Sequence, residues 1–284
     1  MRLVAKAKKL LVVISLIAIL AALTLAFLPN AVSSARESRA AVQLQAWLNV
    51  AKQRALRDQA PRGLRLWLST ANPTQVVECQ YLEQPDDFSA GTISSAALDT
   101  FTFIGVDLWN GNPADRKYWS VQPGDYLEVM GTGLVHQIVS VSSSNTVQVK
   151  PPLPYKLVTA TKNYRIARSP RAVGDETLKM PDGTVIDLDT NVKFNNPLPP
   201  FDPNSGTGYV DILFAPSGAV ISRGVATANI NLWVRAPDLD PAKTADPYRG
   251  DPTIVSVFVR TGLVEAFSPA PVSTPTDSPY RLVR

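Results

Sequence analysis

The chain has one cysteine, Cys79, and one histidine, His136, in 284 residues. A lone cysteine excludes an intrachain disulfide, and one histidine with one cysteine excludes a four-ligand His/Cys zinc site within the monomer. Cys79 reads as a small apolar strand residue, because a catalytic thiol needs a neighbouring base and only one histidine exists to serve. His136 falls in the alternating segment 134–141 on the same face as Ile138, which reads as strand rather than as base or ligand. Gly-x-Ser-x-Gly, phosphate-loop and dinucleotide fingerprints are also missing, and with them the usual signatures of nucleophile and phosphate chemistry.

The body lacks an excess of either charge. The net charge of +4 and pI near 9.2 come from the first nine residues, where Arg2, Lys6, Lys8 and Lys9 are the only charged side chains. Beyond them basic and acidic residues are equal in number, so no phosphate-binding surface and no nucleic-acid partner is expected. No small-molecule substrate site is evident, and no enzymatic activity is expected. What the body does have is 24 prolines and 15 glycines, many beside Asp, Asn or Ser. They place frequent turns after residue 60 and leave little room for helices there.

Residues 10–28 form an uncharged apolar run containing Leu10, Leu11, Val12, Val13, Ile14, Leu16, Ile17, Ile19, Leu20, Leu23, Leu25, Phe27 and Leu28. At about 1.5 Å per residue it would span roughly 28 Å as a helix, close to a bilayer core. The cations before it predict an N-terminus in the cytoplasm and the bulk of the chain outside. The reading is therefore a single-pass cytoplasmic (inner) membrane protein with an extracytoplasmic C-terminal domain and the lipid bilayer as a partner. A cleaved secretory signal ending at Ser33-Ser34-Ala35 fits less well, since such apolar regions run about 7–15 residues. After Pro29, expected to kink or break the helix, the pattern turns amphipathic. Val32, Ala35, Ala40, Leu44, Trp47, Ala51 and Ala55 recur at helical spacing as a packing face, until Pro61 ends the helix near Asp58–Gln59.

This run, with Pro29 and then Ala35-Arg36-Glu37, resembles the N-terminal helix of type IV pilins and type II secretion pseudopilins. Segments 50–57 and 64–69, then 212–220 and the pair 254–259 and 263–267 around Thr261-Gly262, resemble H-type minor pseudopilins. The resemblance implies a helix that packs on neighbouring subunits in a filament and carries a β-sheet head. The processing site departs from the family: Val4 stands in place of its glycine and Lys9 in place of its glutamate, a degenerate prepilin peptidase site.

The remaining sequence predicts strands joined by turns. Tyr209–Phe214 alternates Val210, Ile212 and Phe214 against Tyr209, Asp211 and Leu213, and Pro181-Asp182-Gly183 and Pro216-Ser217-Gly218 supply turn chemistry. The expected class is α+β: a long N-terminal transmembrane and amphipathic helix (1–60), then an antiparallel β-rich head (61–268) with an inserted small β module (99–170) and a loose Pro-rich tail (269–284). A possible contact loop gathers Trp109, Tyr118 and Trp119 among Gly, Asn and Pro. Calcium is the one cofactor considered, at Asp202–Gly206 with Asp211, or at Asp238-Leu239-Asp240 with Asp246, although neither has EF-hand spacing. Asp187 and Asp189 could share a strand face, as such neighbours do in any protein. The expected function is a non-catalytic pilin- or pseudopilin-like subunit, membrane-anchored, in a type II secretion or type IV pilus-like assembly. A membrane-anchored extracytoplasmic binding module outside any filament is the alternative.

Overall fold

The structure, a computed structural model, describes residues 2–129, 133–190, 198, 208–222, 228–236, 252–271 and 278–283. Within the helix it describes side chains at 13–18 and 35–58. In chain order the elements are α1 (Arg2–Asp58), β1 (Arg62–Leu68), β2 (Gln75–Glu83), β3 (Thr92–Ser95), β4 (Thr100–Ile104), a 3-10 turn at Arg116–Tyr118, β5 (Tyr126–Val129), β6 (Val135–Ser143), β7 (Thr146–Lys150) and β8 (Tyr164–Ala167). There follow β9 (Arg171–Ala172), β10 (Leu178–Lys179), β11 (Val185–Asp187), β12 (Tyr209–Phe214), β13 (Asn229–Arg235), β14 (Thr253–Phe258) and β15 (Val264–Phe267).

Two expectations are overturned. The α+β class gives way to a mostly β protein with two antiparallel sheets, in which α1 is the only helix of seven or more residues among those described. Among the described residues no helix is long and apolar enough to cross a membrane, which removes the support for a transmembrane helix and for the single-pass localisation. Crossing takes about 20 consecutive apolar residues. The helical side chains described are the short stretch 13–18 and the stretch 35–58, and the latter carries Arg36, Glu37, Arg39, Lys52, Arg54, Arg57 and Asp58.

The chain forms two compact units, Met1–Leu82 with Val173–Arg284, and Glu83–Ala172. In the first, strands run in the order β12-β1-β2-β11-β13-β14-β15, with β10 also paired to β2. Alternation decides which residues face α1: Leu64 and Leu66 on β1, Val210, Ile212 and Phe214 on β12, Ile230, Leu232 and Val234 on β13, and Val255 and Val257 on β14. Against them α1 lays Ala40, Ala41, Leu44, Leu48, Ala51 and Ala55, all fully buried and spaced at one helical face. Cys79 lies in this core on β2, and burial pushes its thiol pKa up, which removes it as a nucleophile. The helix runs unbroken through Pro29 and stops where Gln59 turns left-handed (φ 51°) ahead of Pro61.

Two turn tips meet under the end of α1. A Cβ on Gly262 (φ 59°) would stand 1.9 Å from the carbonyl oxygen of Gly218, so only glycine allows this approach. Lys52 Nζ donates to Thr261 O at 2.9 Å, tying the helix to the same corner. The opposite sheet face buries polar pairs: Arg65 grips Asp211 with Nε and Nη2 at 2.7 Å each, and Ser256 Oγ donates to Asn231 Oδ1 at 2.6 Å. The expected loose tail is held here as well, because Trp233 Nε1 donates to Tyr280 Oη at 3.0 Å with the two rings edge to face.

In the second unit six strands run in the order β3-β4-β7-β6-β5-β8. Its ends meet: Phe88 exchanges backbone hydrogen bonds with Ile166, and Ile93 with Thr161, at 2.8–2.9 Å. These two bridges close the sheet into a small barrel. Phe101, Phe103, Leu127, Ile138, Val147, Val149 and Ile166 fill it.

Leu48→Ala removes a fully buried side chain at the centre of the helix–sheet contact. It is expected to destabilise the protein by about 2–5 kcal/mol, read as a lowered urea midpoint, whereas Val42→Ala on the exposed face is expected to shift it by less than about 0.5 kcal/mol.

Candidate functional site

Residues 35–58 of α1 present two different surfaces. Of the expected packing face, Ala40, Leu44, Ala51 and Ala55 are buried, Trp47 is half-buried against the core, and Ala35 is exposed; the Val32 side chain lies outside those described. Ala41 and Leu48 complete the face, and the seven-residue spacing between them was the signal for both. Glu37, unremarked at the sequence level beyond its place in the family resemblance, is buried and accepts the Ala236 N–H at 2.8 Å. Gln45 Nε2 donates to Val264 O at 2.8 Å. Together with Lys52 these contacts pin one side of α1 along its own sheet.

Further towards the N-terminus the helix changes. Val13, Ile14, Leu16 and Ile17 are each 55–59% exposed. Successive residues project about 100° apart, so these four cover an arc of roughly 160°, and exposed Ser15 stands on the opposite side. The side chains of Leu10, Leu11, Val12, Ile19, Leu20, Leu23, Leu25, Phe27 and Leu28, and of Arg2, Lys6, Lys8 and Lys9, lie outside those described.

In the barrel, the aromatic residues come together but do not form an open platform. Trp109 and Trp119 face each other at 5.8 Å between ring centroids, tilted by 30°. Trp119 is buried with its Nε1 donating to Asn112 O at 2.8 Å, Trp109 is half-buried, and only Tyr118 stands exposed, at 56%. Asp107 holds the loop by accepting the Trp109 and Gly111 N–H groups at 3.0 and 2.8 Å. Beneath it Arg171 donates to Trp119 O at 2.7 Å and to Ser120 O at 3.1 Å, and lies 3.5 Å from the Asp125 carboxylate. Burial raises the Asp125 pKa, opposed by the Ser169 and Gln122 N–H groups and by Arg171. Burial likewise lowers that of Arg171, opposed by Asp125. This buried support was not anticipated; the Pro123-Gly124-Asp125 turn was visible, but its long-range partner was not.

The carboxylates considered for chemistry are engaged or outside the described residues. Asp202–Gly206, Asp238, Asp240 and Asp246 fall outside them, and Asp211 gives both oxygens to Arg65. Asp187 pairs with Arg235 at 2.9 Å and accepts from the Thr190 hydroxyl and the Asp189 N–H. Among the described residues no cluster of three His, Cys, Asp or Glu side chains is arranged to hold a metal. His136 is buried on β6 beside Ile138, with Nδ1 2.7 Å from Pro151 O, which makes it the anchor of a loop.

No protein-family model and no curated protein matches this chain.

The loop geometry distinguishes a packed tryptophan from a presented tyrosine. Trp119→Ala is expected to destabilise the protein by about 3–5 kcal/mol, followed by thermal unfolding, while Tyr118→Ala is expected to remain within about 0.5 kcal/mol of the parent.

Proposed function

We propose that the protein is a non-catalytic, pilin- or pseudopilin-like assembly subunit in which α1 packs against helices of neighbouring subunits and the β-rich remainder supplies further contacts. The observation that carries this reading is the change of character along one helix. From Glu37 onward one face of α1 is bound to its own sheet; at 13–18 all the side chains are exposed, and Val13, Ile14, Leu16 and Ile17 form an uncovered apolar face. Full burial of a side chain of this kind is worth about 1.5–3 kcal/mol, so an apolar face left open on a helix is stabilised by whatever covers it. Parallel helices of like subunits offer such cover, and the family resemblance of this segment points the same way. The engagement of Asp187 and Asp211 in ion pairs and the burial of Cys79 favour a subunit without catalysis.

A second reading, a binding module that contacts a glycan or another protein through the Trp109–Trp119 loop, rests on exposed Tyr118. With Trp119 buried and Trp109 half-buried, the aromatic surface on offer is small.

Because Cys79 is buried, Ile17→Cys provides the one accessible thiol among the described residues. Mild oxidation in the producing cell is expected to give a disulfide-linked dimer through α1, and Arg57→Cys, exposed at the far end of the helix, provides the comparison. Absence of the Ile17→Cys dimer, with ligand binding lost on Trp109→Ala, would favour the second reading.

A further inference from the structure

One end of the barrel carries apolar side chains that its own core does not use. Because neighbouring strands run antiparallel in the order β3-β4-β7-β6-β5-β8, the β3–β4 turn, the start of β6 and the connection 151–163 all lie at this end. The connection is fixed at its base: Pro151 O meets His136 Nδ1, Leu153 N donates to Leu98 O at 2.8 Å, and Thr161 pairs with Ile93. Leu153 and Leu157 turn inward and are buried, whereas Tyr155 is 40% exposed and Val158 97% exposed. Leu98 and Leu134 stand exposed at the same end. Lys150, Lys156 and Lys162 are exposed around them and none is ion-paired among the described residues, against Asp99 alone among the acidic residues of these connections. On the wall nearby, Glu128 and Asp87 are both held by Arg165.

We infer that this end of the barrel docks on an anionic lipid surface, with Val158 and Tyr155 entering the headgroup layer and the three lysines meeting lipid phosphates. The charge fits: unpaired ammonium groups surround an apolar tip, and long lysine stems let the charge stay at the phosphates while the tip goes deeper. The residue types fit as well, since a tyrosine ring is at home at headgroup depth. A protein partner would need a hollow matched to Val158, whereas headgroups rearrange around apolar side chains presented from several connections at once. A loop held at its base also loses little freedom on docking. One valine and part of a tyrosine bury less apolar surface than a single acyl chain, which alone binds membranes only marginally. The lysines supply the second attraction, so the contact is weak, reversible and salt-dependent, and it orients the barrel rather than anchoring the chain. It needs no membrane-crossing helix and does not depend on the assembly reading.

Because Cys79 is buried, an environment-sensitive fluorophore on full-length Val158→Cys reports on this tip alone. Phosphatidylglycerol vesicles are expected to shift its emission to the blue, phosphatidylcholine vesicles are not, and the shift is expected to fade as salt is raised. The same fluorophore on Tyr118→Cys, at the other end of the barrel, is expected to stay unchanged with both. Adding Lys150→Gln, Lys156→Gln and Lys162→Gln to the Val158→Cys chain is expected to raise the lipid needed for half the shift roughly a hundredfold, with an unchanged thermal midpoint. Attachment through α1 would move the Val158 and Tyr118 signals alike, or respond equally to both lipids, and either result would overturn the inference. So would a silent Val158 fluorophore with phosphatidylglycerol. A shift produced by polyglutamate, or by raising the protein concentration, and not enlarged by vesicles would replace the lipid with a protein partner.

Discussion

The first unit depends on a close contact between α1 and its sheet, and that contact depends on small side chains. Ala40, Ala41, Ala51 and Ala55 let the helix axis approach the strands, while Leu44 and Leu48 fill the space between Leu64, Leu66, Ile212, Leu232 and Val255. Dispersion and apolar burial supply the attraction, and polar contacts set the register. Glu37 reaches the Ala236 N–H, Gln45 the Val264 carbonyl and Lys52 the Thr261 carbonyl, three points along one helix. A helix sliding by one turn would break all three and leave a buried carboxylate without its N–H partner, a cost of several kcal/mol. The glycine pair at 218 and 262 matters for the same reason, since the corner they make is the one Lys52 seizes.

The second unit reaches stability differently. It has no helix to cover its sheet, so the sheet covers itself by closing through Phe88–Ile166 and Ile93–Thr161. Closure fixes the two ends of the barrel as distinct surfaces, and buried polar residues then fix the loops on each. His136 secures the base of loop 151–163 at one end; Arg171, with Asp125, secures the Trp119 segment at the other. In both cases a polar side chain, buried for His136 and half-buried for Arg171, holds a backbone carbonyl, so a loop without regular structure still has a defined shape. The side chains left outside, Val158 and Tyr118, are therefore presented rather than merely uncovered.

Much of the strand structure was legible. Val210, Ile212 and Phe214 alternate in sequence and all face α1; Pro181-Asp182-Gly183 and Pro216-Ser217-Gly218 form the turns their residues favour; Cys79 and His136 are buried on strands. On α1, Ala40, Leu44, Ala51 and Ala55 of the helical stripe are buried while Ala35 at its rim is exposed, because spacing places an alanine on a stripe but carries no mark of burial. The class was misjudged because the N-terminal apolar run was read as an anchor, while among the described residues fifteen strands in two sheets outweigh a single long helix. In the aromatic loop, composition brought Trp109, Tyr118 and Trp119 together without showing that Trp119 points inward and Tyr118 outward.

By itself the sequence determined periodicities and exclusions: which residues alternate, where Gly and Pro force turns, and which chemistries lack their groups. These follow from local geometry, where side-chain direction repeats every 2 or 3.6 residues. Tertiary structure alone decided the partners across long separations, Arg65 with Asp211, Glu37 with Ala236, Trp233 with Tyr280, and the closure of the barrel. Such pairings depend on strand order and register, which no local pattern encodes. The apolar turn at 13–18 shows the division most clearly: hydropathy states that these side chains favour cover, but because the hydrophobic effect has no direction, it does not state what provides it.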